Sequence, residues 1–179
     1  MRITGGQYLR RNIVCPPGII RPAMDRMRES LFSILGPLDG MSFLDLFSGS
    51  GCVAIEAASR GAEPIHLVEG DRGKKETIEG NLSFVKEDKH LFIMDVMRYL
   101  SSCMRRYDVI YADPPFKMED KVAIAAKVDA AGLLEDGGLF IIHYPEEEDR
   151  LWSEAVGQLT LIDKRKYGRS MLRFYRKGQ

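Results

Sequence analysis

The sequence predicts an α/β protein built on a mostly parallel sheet of seven strands with an antiparallel pair at one edge. Short apolar runs that suit buried strands alternate with segments of helical spacing from residue 41 to residue 131. A glycine-rich loop follows the first of these strands. The last two predicted strands, residues 158–165 and 170–175, are joined only by a turn, which indicates antiparallel pairing.

Each element follows from a local pattern in the chain. Residues 2–14, with Gly5 and Gly6 near a turn, predict a small N-terminal β-hairpin arm. Apolar residues at helical spacing from Met24 to Leu35 predict a first helix, which Gly36 and Pro37 end. The five other strands are predicted over residues 41–47, 64–69, 90–94, 107–112 and 138–144, with helices over 51–60, 72–85, 96–104, 119–131 and 149–156.

Length and composition predict one soluble domain. A chain of 179 residues is long enough to bury a full core, and we expect an arm over residues 1–20 and a catalytic core over residues 21–179. The three cysteines are scattered without a Cys-x-x-Cys pair, and His66, His90 and His143 are isolated, so neither a disulfide framework nor a metal site is expected. No signal segment or membrane-spanning run is apparent, which favours a cytoplasmic monomer.

Charge is distributed unevenly along the chain. The formal net charge is zero, but residues 1–30 carry +4, residues 163–179 carry +6 and the middle carries −10. Basic ends that flank an acidic middle favour a polyanionic partner bound through its phosphates. The alternative is that these side chains form ordinary solvated faces.

The glycine-rich loop, residues 45–51, ends the first strand and begins a helix, so its backbone can approach a ligand. Gly49, Gly51 and Ala54 also fit the spacing of a dinucleotide fingerprint, and Glu69 could bind the ribose of either a nicotinamide cofactor or S-adenosylmethionine. Asp45 favours the second, because a carboxylate at the loop entrance repels a pyrophosphate and attracts a sulfonium.

The turn Asp113-Pro114-Pro115-Phe116 follows a buried strand and suits methylation of an exocyclic amine. Asp113 and the Pro114 carbonyl can accept the amine protons, and Phe116 can stack on the base. Asp45, Glu69, Asp95 and Asp113 all end successive strands, where ligands of open α/β sheets bind. Strand ends also carry Asp as helix caps, so the pattern alone leaves a structural role open for each carboxylate.

At these motifs the chain resembles the RsmD family of bacterial 16S rRNA guanine-N2 methyltransferases. The resemblance is carried by residues 1–6, 21–32, 44–51 and 113–116, and the arginine-rich first helix is its most specific part. Two departures are Phe116, where such turns often carry Tyr, and Ala23, where Thr is common in the family.

The resemblance implies a Rossmann-like class I methyltransferase fold, S-adenosylmethionine as donor with S-adenosylhomocysteine as product, and 16S rRNA as substrate, naked or within an assembling 30S subunit. Methylation of adenine N6 in DNA or RNA, a non-catalytic RNA-binding protein and a nicotinamide oxidoreductase remain alternatives. The expected catalytic residues are Asp113, Pro114 and Phe116; the expected cofactor residues are Asp45, Phe47, Gly49, Ser50, Gly51, Glu69, Asp95 and Val96; and the expected RNA contacts are Arg10, Arg11, Arg21, Arg26, Arg28, Lys166 and Arg169.

Overall fold

The computed structural model describes residues 1–15 and 22–178, and for Pro22 and Ala23 the backbone alone. Within these residues the chain forms one sheet of eight strands in the order β3-β2-β1-β4-β5-β8-β7-β6. The strands are β1 (Phe43–Leu46), β2 (Ile65–Glu69), β3 (Lys89–Ile93), β4 (Tyr107–Ala112), β5 (Leu134–Pro145), β6 (Ala155–Val156), β7 (Leu159–Tyr167) and β8 (Ser170–Lys177).

The first five strands pair in parallel, and β8, β7 and β6 add antiparallel pairs beside β5. The predicted mostly parallel sheet with an antiparallel edge is therefore confirmed. The structure has one strand more than the seven predicted. This additional strand is the two-residue β6, which is too short to leave an alternating apolar pattern in the sequence.

In the described part of the chain, five α-helices cover the two faces of the sheet. They are α1 (Pro22–Leu35), α2 (Cys52–Ser59), α3 (Lys75–Leu82), α4 (Val96–Ser102) and α5 (Val122–Ala130). Because strand side chains alternate between faces, Phe43 joins a core with α1, α2 and α3, whereas its neighbour Leu44 joins a second core with α4 and α5. No helix of the described residues is both long and apolar enough to span a membrane.

The predicted β-hairpin arm forms without two regular strands. Residues 1–15 double back on themselves, with one isolated antiparallel bridge between Arg2 and Asn12 and further backbone hydrogen bonds that link residues 1–3 to residues 10–13. The N–H groups of Thr4 and Gly5 donate to the buried carboxylate of Glu56 on α2, so the segment also docks on α2. Residues 16–20, also assigned to the arm, lie outside the described residues.

The helix predicted over residues 149–156 is wrong. Residues Glu146–Leu151 form a 3₁₀ helix, and β6 follows. The carboxylate of Asp149 accepts from the Tyr144 hydroxyl at 2.6 Å and from the Arg173 guanidinium at 3.3 Å. These two contacts hold the segment in a tight turn against the ends of β5 and β8.

Candidate active site at the carboxyl edge of the sheet

The carboxyl ends of β1, β2, β4 and β5 bring together a glycine-rich loop, two carboxylates and a histidine. Parallel strands place their carboxyl ends at one edge, and this common edge is why residues distant in sequence meet. Asp113 begins the turn after β4, and its N–H donates to the Leu46 carbonyl at 3.2 Å. Glu69 ends β2, and His143 lies near the end of β5.

Asp45 stabilises the glycine-rich loop and the start of α2 through buried hydrogen bonds. It is 1% exposed, and its Oδ2 accepts from the Ser48 hydroxyl at 2.9 Å and from the Ala54 N–H at 3.2 Å. Burial raises the pKa of the Asp45 carboxyl well above its usual value, and the bonds from Ser48 and Ala54 oppose that rise. Asp45 lines neither of the cavities described below, so the direct attraction to a sulfonium expected from the sequence does not fit its position.

The loop itself leaves room for a ligand. Phe47, Gly49 and Gly51 all have positive φ, which favours glycine at the last two positions. A Cβ at Gly51 would come within 3.2 Å of Leu67, whereas a Cβ at Gly49 would meet nothing within 4 Å among the described residues. Gly51 is therefore favoured by its positive φ and by tight packing, and Gly49 exposes its backbone to an open space.

Glu69 ties the loop to the end of β2. Its Oε1 accepts from the Gly49 N–H at 2.7 Å, and its Oε2 accepts from the Asp71 N–H at 2.9 Å. Its side chain is 7% exposed but still lines a cavity. Each carboxylate oxygen can accept a further bond, so both backbone contacts are compatible with a ligand hydroxyl.

Asp95 and Val96 stand apart from this group. The exposed Asp95 caps α4, where its Oδ2 accepts from the Arg98 N–H at 3.0 Å, and Val96 is buried below it. Neither residue lines the two cavities described below. Helix capping, the structural alternative left open by the sequence, accounts for Asp95 in this structure.

Two adjoining cavities open at this edge. The helix-side cavity, about 340 Å³, lies between α1 and the glycine-rich loop and includes Ser50 and Tyr111. The turn-side cavity, about 470 Å³, includes Glu69, Pro114, Phe116 and His143. The residues that line both are Met24, Phe47, Gly49, Lys74 and Asp113. Asp113 therefore stands where the two spaces meet, and both volumes lie in the range of small-molecule sites.

Two side chains that the sequence patterns did not single out support the turn. His143 Nδ1 lies 2.8 Å from Asp113 Oδ1, and its ring meets that of Phe116 edge to face at 5.2 Å between centroids. Lys121 is 2% exposed and donates to the carbonyls of Phe116 and Met118, both at 2.8 Å, and to Glu148. The signal for His143 was its place at the end of a buried strand, beside the strand that ends in Asp113.

The expected RNA contacts divide into exposed and buried arginines. Arg10, Arg11 and Arg26 are exposed, and Arg21 lies outside the described residues. Arg28 is 5% exposed and donates to Glu56, Asp25 and the Arg2 carbonyl, which disfavours its predicted contact with RNA, although it lines the helix-side cavity.

The two basic residues expected near the C-terminus are both at the surface. Lys166 lies 2.5 Å from Glu146, and Arg169 shares a small cavity with Phe116. Among the described residues, no three His, Cys, Asp or Glu side chains lie close enough together to hold a metal ion.

Comparisons with known proteins identify the family. A family model described as "Conserved hypothetical protein 95" matches residues 1–176. The chain belongs to this family, the RsmD family.

Its relatives match along most of their length. It is 33% identical over 99% of both chains to the Bacillus subtilis protein named "Putative rRNA methyltransferase YlbH". It is 34% identical to the Escherichia coli "Ribosomal RNA small subunit methyltransferase D" over 77% of this chain and 68% of that protein.

A solved structure titled "Putative methyltransferase yhhF from Escherichia coli" superposes with a TM-score of 0.88 at 27% identity, and covers 99% of this chain and 98% of that one. The expected class I methyltransferase fold is thereby confirmed.

Proposed function

We propose that this protein transfers a methyl group from S-adenosylmethionine to the exocyclic N2 amine of a guanine in 16S rRNA. The observation that carries the proposal is Asp113, which lies between the two cavities at the start of a Pro-Pro-Phe turn. Membership of the RsmD family and the names of its relatives support rRNA as the substrate. The guanine N2 position rests on the family resemblance of the first helix and the turn.

The residues around the glycine-rich loop fit an adenosine-containing cofactor. The open space at Gly49 admits a ligand against the loop backbone, and Glu69 presents a carboxylate suited to ribose hydroxyls. S-adenosylmethionine would supply an electrophilic methyl group there. Asp95 and Val96 remain candidates for the adenine contact only if the cofactor extends past the two cavities.

The chemistry at the turn follows from its acceptors. An aromatic amine is a weak nucleophile because its lone pair is delocalised into the ring. Asp113 and the Pro114 carbonyl would accept its two N–H bonds and favour the pyramidal nitrogen, which gains positive charge as the bond to the methyl carbon forms and the carbon–sulfur bond breaks. The nitrogen then loses one proton to solvent. Phe116 would hold the base by stacking, and for that contact the absence of a Tyr hydroxyl is unimportant.

The change Asp113→Ala tests this assignment. We expect S-adenosylmethionine to bind with nearly native affinity, because Glu69 and the loop are intact, while methyl transfer falls by about 100-fold or more. Calorimetry measures the first quantity, and incorporation of labelled methyl into 16S rRNA measures the second. The exposed Glu119, in the same loop, offers a matched control, and Glu119→Ala should retain native turnover. Native turnover in Asp113→Ala would show that the carboxylate takes no part.

A further inference from the structure

His143 is enclosed beside the proposed acceptor of the target amine. It is 3% exposed, and its neighbours in the sheet are Ile142 and Tyr144 on β5 and Leu172 on β8. One ring nitrogen, Nδ1, reaches Asp113 Oδ1 at 2.8 Å. The other, Nε2, is buried and has no hydrogen-bond partner among the described residues. The two nitrogens therefore differ in hydrogen bonding, and this difference indicates which of them carries the proton.

The unpartnered nitrogen indicates the tautomer. An ionised carboxylate only accepts hydrogen bonds, so the proton of a neutral ring lies on Nδ1 and is donated to Asp113. Nε2 then carries a lone pair, whose burial is tolerated better than that of an unpaired N–H. A ring that bore its proton on Nε2 would lose the bond to Asp113 and bury a donor without an acceptor.

The bond from His143 fixes one oxygen of Asp113 and leaves the other for a ligand. Asp113 has a side chain that is 30% exposed, and no donor within the described part of the chain bonds to its Oδ2. The Phe116 ring packs edge-on against the imidazole, so the same histidine limits the position of the stacking side chain. His143 thus restrains two of the groups that are proposed to receive the base.

We propose that His143 is the positioning residue of the methyl-transfer site: it donates from Nδ1 to orient the Asp113 carboxylate so that Oδ2 accepts the target amine. The inference rests on the proposed function. A role as a proton relay would need a second partner at Nε2, and the described residues supply none. His143 acts through Asp113 and does not touch the reacting atoms.

Three substitutions distinguish the effect of the Nδ1 donor from the effect of the size of the ring. In His143→Asn the side-chain amide nitrogen stands close to the place of Nδ1, in His143→Gln it stands near the place of Nε2, and His143→Leu has no donor. We expect His143→Leu and His143→Gln to lower kcat by about 10- to 100-fold, the effect of losing a hydrogen bond to a charged group. His143→Asn should recover kcat to within about threefold of native.

The affinity for S-adenosylmethionine by calorimetry, and KM for it, should change less than about twofold in all three variants, which also shows that they fold. Equal kcat in the Asn and Leu variants would overturn the positioning role, and so would native kcat in the Leu variant.

A second measurement does not depend on turnover. Nitrogen NMR of the imidazole should show the Nδ1–H tautomer in the native protein and its loss in Asp113→Ala. The same tautomer in both proteins would overturn the inference. A native protein that shows the expected tautomer but methylates no rRNA would instead contradict the proposed function.

Discussion

His66 is a buried histidine whose surroundings disfavour its charged form. Its Nδ1 lies 2.7 Å from the Tyr107 hydroxyl, which in turn lies 2.6 Å from the Tyr99 hydroxyl. Burial is the main cause that lowers the pKa of His66 to about 4, and Arg105 and His90 add to the effect. In the unfolded chain a histidine titrates near 6.5.

This difference predicts an acid-sensitive contribution to stability. Below about pH 6.5 the unfolded chain gains a proton at His66 that the folded protein does not accept until about pH 4, so the contribution is present above pH 6.5 and is lost as the pH falls through this window. Urea unfolding between pH 7.5 and pH 4.5 should show a smaller loss of stability in His66→Gln than in the native protein. The exposed His90 is a minor contributor to this shift, so His90→Gln should change the slope less than His66→Gln does. Equal slopes in native protein and His66→Gln would refute the assignment.

At the same scale, the four carboxylates at strand ends looked alike in sequence and differ in the structure. Position at a strand end was predictable, because it follows from the alternation of strands and helices. Exposure was not predictable, because it depends on donors from elsewhere in the chain: Ser48 and Ala54 donate to the buried Asp45, whereas Asp113 lines both cavities. The pairing of Asp113 with His143 likewise needed the order of β4 and β5 in the sheet.

At the level of elements, the N-terminal segment shows how a distant contact adds to a local pattern. The Glu56 carboxylate is fully buried on α2 and accepts from Thr4 and Gly5 of that segment and from Arg28 and Arg60. A carboxylate that is buried needs such donors, and their number compensates for its desolvation. The sequence of residues 2–14 therefore predicted that the chain reverses, but nothing local to it predicted the docking on Glu56.

The contact with Glu56 gives one arginine of the first helix, Arg28, a structural role. Arg28 lies on the buried side of α1 and joins that helix to α2 and to the N-terminal segment. Arg26, two residues earlier, is exposed. Helical spacing predicted which residues share a face. Arg28 faces inward because it pairs with the buried Glu56.

At the scale of the whole molecule, the two basic ends of the chain come together. The Ser30 hydroxyl of α1 contacts the Tyr167 hydroxyl at the end of β7. Much of the positive charge near the C-terminus is paired, since Lys164, Lys166 and Arg173 all contact acidic residues of the 3₁₀ helix. The net charge of residues 163–179 therefore overstates the number of unpaired basic groups available to bind RNA. The exposed arginines of the N-terminal segment are the stronger candidates for RNA contacts.

Charge reversal at Arg10 and Arg11 tests this surface. The double change Arg10→Glu/Arg11→Glu should weaken binding to 16S rRNA and reduce the slope of log affinity against log salt by about 1.5 to 2. The slope falls because fewer counterions are released when fewer phosphate contacts form. Binding titrations at several salt concentrations measure both quantities.

The matched control is Arg105→Glu/Arg106→Glu, an exposed pair immediately before the start of β4, at the edge opposite the candidate site. If both double variants change affinity and slope equally, the N-terminal segment contributes only through overall charge. If neither changes, the segment is structural.

The identity of the methylated nucleoside tests the proposed function most directly. Native protein is incubated with labelled S-adenosylmethionine and 16S rRNA, either naked or in partly assembled small subunits, and the RNA is digested to nucleosides for mass spectrometry. We expect N2-methylguanosine as the labelled product in at least one of the two substrates, and its absence when Asp113→Ala replaces the native protein. Label in N6-methyladenosine, or no label in either substrate, would contradict the proposed function.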